Sequence, residues 1–119
     1  MIAQRTSGTS FLNGVPELLI LRLLAEEAMY GYEIVQAIRT RTGAVVAVGE
    51  GVVYPVLHAL EAEGAIRSRR KEVEGRSRIY YSLTAAGKRR LVRLSADWTG
   101  LANAIRGVLI GDKHAEFFS

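Results

Sequence analysis

The sequence predicts a mainly helical α+β chain: three short helices, a β-hairpin and one long helix, in that order. That order rests on three features. Helix-type apolar patterning fills three stretches before residue 64. Two runs of strand-forming residues flank Glu74-Gly75, and Gly accepts the positive φ of a tight two-residue turn. After them, Leu91, Leu94, Trp98, Leu101, Ile105 and Val108 recur at spacings of three, four, three, four and three, the a/d seam of a heptad repeat.

Residues 1–10 are polar and read as a loose tail. The first helix opens near Pro16, where a missing N–H is harmless, with Glu17 complementing the helix dipole. Leu18, Leu19, Ile20, Leu21, Leu23 and Leu24 make it apolar on nearly all sides, the mark of a central helix. Residues 26–30 form a short connection. The second helix covers residues 31–42 and stops at Gly43, with Tyr32, Ile34, Val35 and Ile38 assigned to its core face. Residues 44–48 fit a short strand and an extended linker equally. The third helix covers residues 50–63, with Val53, Val56, Leu57 and Leu60 as its buried stripe and Pro55 expected in its first turn.

The hairpin spans residues 65–84, with Ile79, Tyr81 and Leu83 on one face and Arg78, Tyr80 and Ser82 on the other. Thr84 is a good N-cap for the last helix, residues 85–109. A narrow seam of that length wants a partner helix, and the same helix of a second copy is the favoured one. Gly100 and Gly107 weaken this helix and mark a bend or a close approach. The resulting organisation is a tail (1–10), a winged helix-turn-helix domain with a two-stranded wing (11–84), a C-terminal dimerisation helix (85–110) and a second tail (111–119) in which Phe117 and Phe118 are free to dock.

Charge singles out the hairpin. Its six basic residues (Arg67, Arg69, Arg70, Lys71, Arg76, Arg78) face two acidic ones (Glu72, Glu74), so its net +4 equals that of the whole 119-residue chain. Such a hairpin is a candidate contact for a polyanion. The chain contains no cysteine, which removes disulfides and thiolate metal sites. The first ten residues lack the apolar core of a signal peptide, no apolar run is long enough to span a membrane, and a reducing cytoplasm is the expected setting.

Enzyme chemistry finds little to work with. His58 and His114 are the only histidines, and neither lies near a nucleophile-base pair. Neither a metal-spaced ligand cluster nor a phosphate-binding Gly-rich loop is present; Gly49-Glu50-Gly51 lacks the Lys and Ser/Thr. Glu26-Glu27 and Glu61/Glu63 are ordinary surface carboxylates. The expectation is a non-enzyme without cofactor or metal.

Several stretches together resemble PadR-family transcriptional regulators: Gly31-Tyr32-Glu33-Ile34, Gly51 through Ile66 with Tyr54-Pro55-Val56-Leu57 and Leu60-Glu61-Ala62-Glu63-Gly64, and Gly75 through Gly87 with Tyr80-Tyr81-Ser82-Leu83-Thr84. The likeness covers about residues 14–109 and is similar to the short form with a single C-terminal helix. It implies a homodimer on double-stranded DNA that represses nearby genes and is released by a small aromatic or apolar effector. Val52 and Val53 stand where the family usually has Thr and Leu, and Ala59 where a basic residue is common. The third helix therefore carries Glu50, Glu61 and Glu63 and no Lys or Arg.

The candidate DNA-binding residues are Val52, Tyr54 and His58 on that helix and Arg67, Arg69, Arg70, Lys71, Arg76 and Arg78 on the hairpin. Val52 can touch a thymine methyl. Tyr54 fits a phosphate or sugar contact, and His58 fits a surface residue and a base reader equally. The wing cations also suit a solvated edge that blocks strand pairing, but their density favours DNA. Lys88, Arg89 and Arg90 extend the patch or are simply exposed. Trp98, flanked by Leu94 and Leu101, is the candidate effector site. Leu91, Leu94, Trp98, Leu101, Ile105 and Val108 are the dimerisation residues. An acidic third helix also suits a winged-helix protein-interaction module, and the Trp98 seam suits a ligand-binding dimer without an operator.

Overall fold

The apolar run beginning at Leu18 forms the centre of the molecule. In the computed structural model, which describes residues 14–111, helix α1 spans Val15–Glu26 and buries Ile20, Leu21, Leu23 and Leu24. A two-residue strand β1 (Met29–Tyr30) leads into α2 (Gly31–Arg41) and α3 (Glu50–Ala62). Strands β2 (Ile66–Val73) and β3 (Arg76–Leu83) make the hairpin, and α4 (Ala85–Ile110) is the last element among the described residues. The fold class is the α+β winged helix-turn-helix that the element order predicts. The two tails, with Phe117 and Phe118, lie outside the described residues.

The sheet has one strand more than the hairpin alone. Its antiparallel order is β1-β3-β2, with Met29 opposite Tyr81 and Tyr30 opposite Tyr80. Two residues are too few to display an alternating pattern, so the sequence presents this strand as a connection. Met29 and Tyr81 join the buried core with Ile34, Ile38, Val53, Leu57, Leu60, Ala65 and Ile66. The turn residues Glu74 (φ 53°) and Gly75 (φ 78°) are both left-handed, as a type I′ turn requires.

Two local expectations change, and one open alternative resolves. Tyr32, assigned to the core, is 51% exposed. Pro55 is the sixth residue of α3, a turn deeper than expected, because the helix already starts at Glu50. The bond it cannot make is to the carbonyl of Gly51, an exposed residue with open space around it, so water can serve that oxygen. Residues 44–48 are a turn and linker and form no strand. Thr42 holds that linker: its hydroxyl donates to the Ile38 carbonyl (2.8 Å) and accepts from the Val46 N–H (3.0 Å).

Helices α2 and α3 end alike. Gly43 and Gly64 adopt positive φ, and the next N–H reaches back five residues, Ala44 to Arg39 (2.8 Å) and Ala65 to Leu60 (2.9 Å). These are Schellman closures, and they satisfy the last carbonyls of each helix. The ends of α1 and α2 are tied by a two-pronged pair, Arg41 Nη1 to Glu26 Oε1 (2.8 Å) and Nη2 to Oε2 (3.1 Å). Its hydrogen bonds hold the Glu26 carboxyl below the usual carboxylate range.

Helix α4 starts at a crowded junction. Thr84 caps it by accepting from the Gly87 N–H (3.1 Å), while the Thr84 hydroxyl donates towards the carbonyls of Gly64 (2.7 Å) and Ala65 (2.9 Å). Gly87 is buried, and a Cβ there would collide with the Ala65 carbonyl and the Leu83 side chain. Leu91 and Leu94 then pack on the core, but the helix continues for four more turns beyond them. No helix among the described residues is long and apolar enough to cross a membrane. Gly87→Ala should destabilise the fold by about 1–3 kcal/mol, from overpacking. Gly51→Ala, at a helical position with open space, should be neutral or stabilise by up to about 1 kcal/mol. Urea denaturation of the two variants checks both.

Candidate nucleic-acid interface

Helix α3 presents a small, uncharged outer strip. Val53, Leu57 and Leu60 are buried, and Val56 packs beside them. Val52, Pro55, His58 and Ala59 are exposed. The acidic residues near its end are engaged elsewhere. Glu61 accepts a hydrogen bond from the Ser68 hydroxyl of β2 (2.6 Å), and Glu63 pairs with Arg90 of α4 (2.7 Å). Arg90 also reaches Glu17 of α1 (3.4 Å), so it binds three helices together and is not part of an open basic patch. Lys88 and Arg89 remain exposed.

Tyr54 is placed by α2. Its half-buried ring lies directly over Gly31, the first residue of that helix, and a Cβ at Gly31 would occupy the same space. The Gly31-Tyr32 and Tyr54-Pro55 motifs are thus two halves of one contact between helices. His58, one turn on, lies 6.3 Å from the Tyr54 ring, centroid to centroid.

The register of the hairpin sorts the wing cations. Ile66, Ser68, Arg70 and Glu72 pair with Leu83, Tyr81, Ile79 and Ser77. This face carries the buried residues and the Ser68 bond to α3. Arg67, Arg69, Lys71, Arg76 and Arg78 occupy the opposite face. Arg70 alone of the six shares the α3 side, where its Nη1 donates to the Ser77 hydroxyl (3.0 Å).

Lys71 and Arg78 are directly opposite, an arrangement that repels. Aromatic rings separate them. The Arg78 guanidinium stacks over Tyr30 at 4.2 Å, and Lys71 Nζ lies 5.1 Å from the Tyr80 ring centre. Tyr30 and Tyr80 meet edge to face at 5.4 Å. Tyr81, by contrast, belongs to the core, and burial pushes its phenol up from the ordinary tyrosine range.

On α4 the seam divides. Leu91 and Leu94 are half-buried against the core of the same chain. From there on the side chains project without cover: Trp98 is 39% exposed, Leu101 51%, Ile105 39% and Val108 81%. The two leucines are therefore already engaged within the chain, which shortens the free seam.

Tyr30 and Tyr32 were not among the candidate residues. Tyr32 had a usable signal, since it lies on the opposite side of α2 from the buried Ile34 and Ile38 when 3.6 residues make a turn. Tyr30 had none, because its role depends on the β1–β3 pairing.

Comparison with known proteins gives a consistent result. The sequence model described as "Transcriptional regulator PadR-like family" matches residues 20–93. Transcriptional regulator Rv3488 of Mycobacterium tuberculosis is 35% identical over 104 residues, covering 87% of this chain and 92% of that protein. Among solved structures, a transcriptional regulator from Clostridium thermocellum superimposes with a TM-score of 0.76 at 31% identity, covering 82% of this chain and 95% of that one. A PadR-like transcriptional regulator from Bacillus cereus gives 0.75 at 29% identity, covering 86% and 98%.

The Gly31–Tyr54 contact makes a double-mutant prediction. Gly31→Ala should cost about 1–3 kcal/mol by displacing the Tyr54 ring. In a Tyr54→Ala background the same change should cost markedly less, and the coupling read from denaturation curves measures the contact.

Proposed function

The chain belongs to the PadR-like family of transcriptional regulators, and we propose that it acts as a homodimeric repressor released from duplex DNA by a small apolar or aromatic effector. DNA binding and transcription regulation come with the family. The finer reading is carried by how the cations are paired. Arg22, Arg41 and Arg90, in the body of the domain, form the ion pairs among the described residues. The six wing cations take no part in them. Unpaired guanidinium and ammonium groups are the ones free to neutralise phosphates and release counterions.

In this reading α3 enters the major groove with Val52, Tyr54 and His58 foremost. The wing residues Arg67, Arg69, Arg70, Lys71, Arg76 and Arg78 hold the backbone. Of Glu50, Glu61 and Glu63, it is Glu63 that pairs with a cation, Arg90, which weakens the support for an acidic-helix interaction module. The uncovered part of the α4 seam meets its equivalent in a second copy, setting two half-sites about 10 bp apart or a multiple of that. Trp98, between Leu94 and Leu101, lines the effector site in that interface. An effector that prefers one dimer geometry shifts the population away from the DNA-matched one.

Three outcomes test this reading. Duplex affinity should fall steeply with salt, and Arg76→Ala and Arg78→Ala should each lower the log–log slope by about 1; fluorescence anisotropy across a salt series measures this, and absent binding at low salt would sink the DNA-binding assignment. Sedimentation should report a dimer that becomes a folded monomer when Leu101 and Ile105 are both changed to Glu. Aromatic ligands should quench Trp98 in the dimer and not in that monomer.

A further inference from the structure

Between the start of α2 and the wing lies a cleft of about 430 Å³ lined by Tyr30, Tyr32, Arg76, Ser77 and Arg78. It exists because β1 is short. β1 pairs only with Tyr80 and Tyr81, so β3 at residues 76–78 has β2 on one side and the cleft on the other. Each lining group suits an anion. Arg76 is exposed, and Arg78 is held in one orientation by its stack on Tyr30. Neither takes part in an ion pair among the described residues. Tyr32 brings a hydroxyl donor, and it spends half its surface in solvent with no core role to explain it. The acidic residue nearest in sequence, Glu33, already accepts the Tyr30 N–H (3.1 Å).

We propose that this cleft seats one backbone phosphate of the bound duplex. The Tyr32 hydroxyl and the Arg76 guanidinium act as donors, and Arg78 supplies fixed charge. The occupant is a DNA phosphate, and not a free anion, because the lining joins the wing residues Arg76 and Arg78 to Tyr32, the neighbour of Gly31 on which Tyr54 of α3 rests. A strand lying along the N-terminal end of α3 would therefore continue past Tyr32 to the wing. The seat fixes the angle between helix and wing on the duplex, a positioning role and not base reading.

This inference rests on the DNA-binding reading, and Tyr32→Phe separates the two. The change removes one hydroxyl from an exposed ring and no charge. Anisotropy titration with duplex from the chain's own upstream region should show affinity about tenfold or more weaker at fixed salt. The salt slope should stay unchanged, whereas Arg76→Ala should lower it by about 1. Ethylation interference on the same duplex should reveal a phosphate in each half-site whose modification weakens the wild type and has little further effect on Tyr32→Phe. If Tyr32→Phe binds like the wild type while Arg67→Ala and Arg69→Ala still weaken binding, the phosphate seat is wrong and the DNA reading stands. If the wild type binds no duplex at low salt, both fall.

Discussion

The carbonyl of Ala65 is where the domain is joined. It accepts the Thr84 N–H at 3.1 Å and the Thr84 hydroxyl at 2.9 Å, and Gly87 has no Cβ because this oxygen fills the space. Ala65 is also the residue whose N–H closes α3 back to Leu60, and Ile66 beside it begins β2. Helix α3, the hairpin and α4 therefore meet at one residue. Arg90 repeats the connection two turns along α4, through Glu63 at the end of α3 and Glu17 at the start of α1. Close packing of this kind transmits displacement instead of absorbing it.

That joint gives regulation a physical route. If two α4 helices cross as proposed, a change in that crossing would not be lost in a loose hinge, because α4 is clamped to the end of α3 within its first two turns. The seam reflects the same division. Leu91 and Leu94 belong to the clamp, and the uncovered residues from Trp98 onward belong to whatever meets them. In the proposed regulator, a ligand near Trp98 would act on a helix fixed at its other end, and a local shift there would carry over to the winged domain.

Most of the architecture was legible in the sequence because it is local. Helix periodicity, Gly43 and Gly64 as stop signals, Glu74-Gly75 as a two-residue turn and Thr84 as a cap each depend on neighbours within a few residues. The parts that were not legible depend on contacts across the chain. β1 is a strand only because Tyr80 and Tyr81 lie beside it. Tyr32 looked apolar enough for the core, but the face of α2 that packs is set by Ile34 and Ile38. The acidity of α3 is offset by a cation only at Glu63, through Arg90, a contact that the sequence does not reveal. Of the candidate site, the residue types on the wing could be read from charge alone. Their sorting to two faces required the strand register.

That sorting alters the division of labour between helix and wing. Five cations lie on the sheet face away from α3, so the wing does not simply extend the helix surface. In the proposed reading it would offer the duplex a second, separate contact, with Arg78 stacked on Tyr30 and Lys71 over Tyr80. The outer strip of α3 carries methyl and methylene groups, one imidazole and no guanidinium, which suits thymine methyls and close approach more than guanine readout. In the proposed reading, with few base-specific donors on the helix, discrimination would fall to the geometry that holds helix and wing at a fixed separation. Groove width and half-site spacing would then be read through rigidity, and the Ala65 junction and the Gly31–Tyr54 contact are the rigid elements that could serve it.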